Sequence, residues 1–203
     1  MHDSISADDV LIALLDLQEG IVNVGVTADL RRLRRAAAAL ADLAQAFDLP
    51  VLISGVPTTG GTVALPLAEI AQRLPNVRQY VRTTANALDD QPFRDALESN
   101  ARRTIVLAGV ATEVAVRLAA LAARRAGCRA IVAIDACGGL DARTESATFI
   151  QLCAAGVELS SVATLAAQLG GDFNSEGGRA AMRALQSTLD THGHHHDEID
   201  EPS

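Results

Sequence analysis

Short, almost wholly apolar runs alternate along this chain with longer stretches whose apolar residues recur every three or four positions. Val10–Leu15 is apolar throughout and stops at Asp16, the pattern of a strand buried on both faces. Thr27 is placed to cap a helix ending near Phe47, with Leu30, Leu33, Ala37, Leu40, Ala44 and Phe47 along its apolar face. Val51–Val56, between two prolines, predicts a second strand, and a Gly/Thr-rich loop follows at Thr58–Thr62. Leu65–Leu74 carries a weak helical pattern and Val77–Arg82 that of a third strand. Asp90 and Pro92 open a helix through Phe93 and Leu97. Thr104–Val110 predicts the fourth strand, which feeds directly into a helix over Thr112–Ala126. Arg129–Asp135 and Val157–Ser161 predict the last two strands, on either side of a helix at Thr144–Ala155. A helix begins near Val162 and residues 179–190 suit a further peripheral one.

This alternation predicts an α/β fold, a doubly wound, Rossmann-like, six-stranded parallel sheet with helices on both faces. Ligands of such sheets bind beyond the carboxyl ends of the strands. That rule makes neighbours of Asp16, Arg82, the Gly109–Ala115 turn and Asp135–Gly139. The size, 203 residues, suits one domain, expected over residues 1–191. The segment 192–203, HGHHHDEIDEPS, is polar and charged, and its composition predicts a disordered tail.

Composition narrows the function. Aromatic residues are only 2% of the chain, so the core must be built from Ala, Val, Leu and Ile. All 17 basic residues are arginine, which excludes chemistry needing a lysine ammonium. The net charge of −8 disfavours nucleic acid and anionic membranes as partners, and no apolar run reaches spanning length. Arg31, Arg32, Arg34 and Arg35 are expected on a solvated or interface-facing helix surface. With no signal-peptide pattern at the start, the expected location is the cytoplasm. Cys128, Cys137 and Cys153 lack zinc-ligand spacing and are expected as thiols. No metal or cofactor is expected, four of the five histidines lying at or beyond His192.

A carboxylate that ends an apolar strand, such as Asp16, is expensive to desolvate without partners. It suits either a general acid or base or a loop-fixing aspartate. Arg82, ending the third strand, could pair with it or hold an anionic intermediate. Between Leu107 and Leu121 a strand passes through a tight turn into a helix, where backbone N–H groups can face an oxyanion.

Four stretches together resemble the isochorismatase-like cysteine hydrolases, closest to their YcaC-type branch, over roughly Ala7–Leu169. They are Asp16-Leu17-Gln18 and Gly109-Val110-Ala111-Thr112-Glu113-Val114-Ala115-Val116, then Arg82 with Asn86, Ala87 and Asp89, and lastly Asp135, Ala136 and Gly138. VLISGVPTTGGT after the second strand is similar as well. The resemblance implies the strand order 3-2-1-4-5-6 and a site in which Asp16 is the base and Arg82 the basic residue. It also implies a cis peptide at Val110–Ala111 and, at the turn of Val110, Ala111 and Thr112, an oxyanion site whose donors are the amides near Ala111 and Ala115. Asn86 stands where it can contact substrate or fix its loop.

The nucleophile position holds Ala115, and a methyl group cannot attack a carbonyl. The chain is therefore expected to be a hydrolase scaffold for a small amide- or imide-type carbonyl compound, inactive or impaired as written. A deliberate cysteine-to-alanine change and a natural loss both fit. So do a non-catalytic small-molecule-binding or assembly protein, and non-covalent vinyl-ether hydrolysis by Asp16. Cys137, at the same sheet edge, is either a substitute nucleophile or a small buried residue. Glu113 suits a helix-start acid that favours the dipole. The resemblance implies a homo-oligomer, a tetramer or octamer.

Overall fold

The computed structural model describes residues 5–23 and 27–189. Six strands form one parallel sheet: β1 (Val10–Leu15), β2 (Val51–Gly55), β3 (Gln79–Val81), β4 (Thr104–Val110), β5 (Arg129–Gly138) and β6 (Glu158–Ser160). Their order is β3-β2-β1-β4-β5-β6, and every pairing is parallel. β1 lies at the centre, with all six of its residues buried. Successive side chains of a strand point to opposite faces. Val10, Ile12 and Leu14 accordingly pack in one core layer, and Leu11, Ala13 and Leu15 in the other.

The helices fill both layers. α1 (Leu30–Ala46), α6 (Val162–Gly170) and α7 (Glu176–Leu189) contribute to the first, and α2 (Ala68–Ala71) adds Ile70. α3 (Gln91–Ser99), α4 (Arg117–Arg125) and α5 (Ala142–Ala154) contribute to the second. Alanine dominates the contact faces of α1 and α4, so short side chains set the close helix–sheet packing of this aromatic-poor core.

Several local expectations are corrected. α1 is capped by Asp29, whose carboxylate accepts from Arg32 N at 3.0 Å, and not by Thr27. The Thr27 hydroxyl instead donates to Glu145 and accepts from Gly139 N at 3.0 Å, binding the end of β5 to α5. The weak helical pattern at Leu65–Leu74 yields only the four-residue α2, and β3 is three residues long. β5 runs on to Gly138, beyond its expected end at Asp135, through an irregularity in register. Leu107 pairs with Val132 but Gly109 pairs with Cys137, so three extra β5 residues bulge out and leave Ile134 and Asp135 exposed. α5 starts at Ala142, capped by Asp141, and α7 starts at Glu176, ahead of the expected residue 179. The tail at 192–203 lies outside the described residues. Among the described residues no helix is long and apolar enough to cross a membrane.

Candidate active site at the carboxyl edge of the sheet

The site is built where β1, β3 and β4 end. Asp16 follows β1 in a left-handed conformation (φ 56°), one that aspartate tolerates better than most side chains. Its N–H continues the parallel ladder, donating to Ser54 O at 3.2 Å, and the Ser54 hydroxyl donates back to Asp16 Oδ1 at 2.9 Å. Arg82 follows β3 and extends the ladder on the other side of β2, donating from its backbone to Gly55 O at 2.9 Å. Its guanidinium passes over β2, and Nη2 donates to Asp16 Oδ2 while Nη1 donates to the Thr84 carbonyl. The ion pair is almost closed to solvent, with Asp16 5% and Arg82 3% exposed. Arg82 Nε is buried with no hydrogen-bond partner.

Burial raises the Asp16 carboxyl above the usual aspartate value of 3.8, while the Arg82 guanidinium and the Ser54 hydroxyl pull it down. A carboxylate so balanced holds a proton more readily than a surface aspartate. It can therefore serve as an acceptor and as a donor within one reaction.

The D-x-Q glutamine has a separate task. Gln18 is fully buried, accepts from Val56 N at 2.8 Å and donates to the carbonyls of Ala64 (2.9 Å) and Val56 (3.2 Å). It thereby ties the segment after β1 to both ends of the Thr58–Thr62 loop. Gly55 makes room for it, since a Cβ there would lie 3.0 Å from Gln18 Nε2 and 2.2 Å from Gln79 Nε2.

β4 ends in a turn whose Val110–Ala111 peptide is cis. The carbonyl of Ala111 accepts from Val114 N (3.1 Å) and Val116 N (3.4 Å), so the expected helix at Thr112 begins as a wide π-type turn over Thr112–Val116 before α4. β4 reaches this point closely packed on β1, because Gly109 has no side chain: a Cβ there would stand 2.1 Å from Leu15 O. A cavity of about 230 Å³ opens over the turn, lined by Asp16, Ile21, Val110, Ala111, Gly138 and Leu140.

Asp16, Val110 and Ala111 thus share one cavity, and Arg82 joins them through Asp16. Thr112 is buried with its hydroxyl donating to Glu145 Oε1 at 2.7 Å. Ala115 is buried in the apolar cluster that also holds Leu107, Ala87 and Cys137. Asn86 turns to its own loop, accepting from Leu88 N at 3.1 Å and donating to Asp89 Oδ1 at 2.9 Å. Burial pushes the Cys137 thiol up to about 12, so it stays protonated at neutral pH. Asp135 reaches the start of α6, its carboxylate accepting from Val162 N at 3.0 Å, while Ser161 is the N-cap.

Three further residues shape the site. Ser54 holds Asp16 and leaves only the weak signal of a hydroxyl in an apolar strand. Glu145 gathers the hydroxyls of Thr27 and Thr112. Glu113 does more than favour a helix dipole. It accepts from Leu140 N (3.0 Å) and from the Thr144 hydroxyl (2.7 Å), and so pins the loop that carries Leu140 over the cavity. Desolvation pushes its carboxyl up, but the Thr144 hydroxyl and the N–H groups of Asp141 and Leu140 outweigh this and hold it below the usual 4.5.

Comparison with known proteins places the chain in a family and a fold. The isochorismatase domain family matches residues 10–164. Probable hydrolase YcaC of Escherichia coli (strain K12) is 28% identical over 170 residues, 83% of this chain and 81% of that protein. The solved YcaC of Escherichia coli, described as an octameric hydrolase of unknown specificity, superposes with TM-score 0.85 at 25% identity, covering 93% and 92% of the two chains. YcaC from Pseudomonas aeruginosa, solved with hexane-2,5-diol and covalent acrylamide, gives TM-score 0.85 at 23% identity over 93% of each chain.

Proposed function

Because this chain belongs to the isochorismatase family, on its YcaC-like side, we propose that it is a hydrolase scaffold for a small amide- or imide-type carbonyl compound, with Ala115 at the nucleophile position. The observation that carries this reading is the buried Asp16 carboxylate, held by Ser54 and Arg82 and lining a small cavity beside the Val110–Ala111 turn.

With a thiol at position 115 the pathway runs as follows. Asp16 accepts the thiol proton and the thiolate attacks the carbonyl carbon. The N–H groups of the turn stabilise the oxyanion. Collapse of the intermediate breaks the C–N bond, and the nitrogen leaves with the proton from Asp16. Water, deprotonated by the same carboxylate, then cleaves the thioester. Arg82 keeps the carboxylate oriented throughout. The covalent acrylamide in the Pseudomonas aeruginosa relative supports an amide-sized ligand in this fold.

As written, the chain has no thiol at position 115, and Cys137, buried in the apolar cluster and absent from the cavity lining, is poorly placed to replace it. A second reading follows from the raised Asp16 carboxyl: acid catalysis without a nucleophile, protonating a vinyl ether for attack by water. Loss of catalysis altogether would leave a ligand-binding or assembly protein. The octameric relative and the exposed Leu65 and Ile150 support a homo-oligomer. The rest of the reading is one domain over residues 1–191, working in the cytoplasm without metal or cofactor.

The deciding experiment is Ala115→Cys, screened against small amides, imides and vinyl ethers beside the chain as written. Amide hydrolysis gained by the variant and lost again on adding Asp16→Asn supports the thiol route. Vinyl-ether turnover by the chain as written supports acid catalysis. An intact Ala115→Cys protein inert to every substrate and to iodoacetamide rejects both and leaves ligand binding.

A further inference from the structure

The arginines of α1 take no part in the site at the sheet edge. Arg31, Arg34 and Arg35 lie three and four positions apart, on one face of the helix. With Ala38, Glu69 and Arg73 they line a separate cavity of about 260 Å³ between α1 and the segment around α2. Two of these arginines are engaged by carboxylates. Arg34 donates to Glu19 (Nη2, 2.6 Å; Nη1, 3.0 Å) and to Glu69 (Nη1, 2.9 Å). Arg73 donates from Nε to Asp42 at 2.6 Å. Arg35 differs: its Nη1 is buried and has no hydrogen-bond partner.

Among the described residues Glu19 and Glu69 hold Arg34, Asp42 holds Arg73 and Asp29 lies near Arg31, so Arg35 is the cavity arginine with no carboxylate in contact. A guanidinium cannot shed its proton to relieve the burial of an unused donor. Such a donor calls for an acceptor that carries negative charge. The space is sufficient, since a water occupies about 30 Å³ of the liquid and the cavity holds several times that.

We propose that this pocket binds a small oxyanion of the phosphate class, with Arg35 and Arg31 as its donors, beside Arg34 and Arg73, which carboxylates hold in place. The guanidinium fork matches two oxygens of a tetrahedral anion, and the carboxylates around Arg34 and Arg73 fix those groups before the ligand arrives. The net charge of −8 repels anions at long range, so binding tightens as other ions are added at low concentration and weakens when they compete for the pocket.

The test is calorimetric titration of inorganic phosphate into the full chain, with phosphorus NMR as a second readout. Saturable binding of one phosphate per chain is expected. Arg35→Gln should weaken it at least about tenfold and Arg31→Gln severalfold, as charge-assisted bonds are lost. Arg117→Gln, on α4 and hydrogen-bonded to Gln151, should leave it unchanged. Where Arg35→Gln fails to fold, Arg31→Gln with Arg35→Lys carries the comparison. Absent or non-saturable binding, or equal binding by folded Arg35→Gln, overturns the proposal. So does an Arg35→Gln protein whose mass by light scattering drops from an oligomer to a monomer, since a second copy would then be filling the pocket. None of these readouts depends on position 115.

Discussion

Arg82 reaches Asp16 across the whole width of β2, so the two charged groups of the site come from strands that do not touch. Strands in a sheet stand about 4.8 Å apart, and a side chain bridging two such spacings must be long. Arginine has that length, and its fork can hold the Asp16 oxygen and the Thr84 carbonyl at once. Asp16 is thereby oriented from the protein side, leaving the cavity side of the carboxylate for a ligand.

The two halves of this pair should respond differently to pH when broken. Removing one partner of a buried ion pair costs about 3–5 kcal/mol. Arg82→Met leaves a carboxylate that can take up a proton, so its folded-state value rises further above the unfolded one. The native state then binds more protons, and the deficit shrinks as pH falls. Asp16→Asn leaves a guanidinium that cannot be neutralised and removes the raised carboxyl whose protonation favours the native state in acid, so its deficit does not shrink as pH falls. Urea unfolding at about pH 5 and about pH 8 distinguishes the two. Parallel behaviour of both variants would mean that the pair is not closed to solvent.

Ala115→Cys should be alkylated by iodoacetamide faster than Cys137 in the folded protein, because burial holds the Cys137 thiol at about 12. Peptide mapping by mass spectrometry measures both sites in one sample. Any amidase rate gained should fall in acid as Asp16 takes up a proton, with a midpoint above 3.8 because burial raises that carboxyl. A rate that falls only below that value would remove Asp16 from the role of base.

Glu113 holds the Leu140 loop through its ionised form. Its carboxyl lies lower in the folded state than the ordinary 4.5, so its stabilisation is complete above that value and is lost as pH drops through the folded one. Glu113→Gln should reduce stability at neutral pH by less than about 1 kcal/mol, because the group is only part-buried. The two proteins should converge in acid. Thermal melts across pH give the curves, and hydrogen exchange at Leu140 and Asp141 should quicken in the variant.

Two glycine substitutions compare backbone preference alone, at Gly127, with backbone preference and crowding together, at Gly109 (φ 154°). Gly127 has φ 82° and open space around a notional Cβ, so Gly127→Ala should cost about 1 kcal/mol for the left-handed backbone alone. At Gly109 the Cβ would stand 2.1 Å from Leu15 O, in the centre of the sheet. Gly109→Ala should therefore cost more than about 3 kcal/mol or prevent folding. Denaturant midpoints for the pair test this, and similar costs would show that β1 and β4 can move apart.

Local pattern alone determined β1 and β4 to the residue, and it placed Asp16 and Arg82 at strand ends. A strand buried on both faces needs an uninterrupted apolar run, and the first charged residue after that run marks its end. The D-x-Q and G-V-x-T stretches carried the family for the same reason: each is contiguous, and its spacing is written in the chain. Tertiary structure decided the partners. The Thr27 hydroxyl has the chemistry of a cap, but the close approach of Gly139 and Glu145, more than a hundred positions away, drew it to them. Glu113 looked like a helix-start acid until the β5–α5 loop brought its N–H groups to the carboxylate. Ser54 joined the site through the β1–β2 register, which sets it opposite Leu15 and beside Asp16. The bulge in β5 was likewise invisible beforehand, because Ile134 extends the apolar run, Asp135 reads as its end, and only pairing with β4 expels the two and carries the strand on to Gly138. Which residues are polar, apolar or small is a property of each position, but which of them meet is set by strand register and helix packing over the entire sheet.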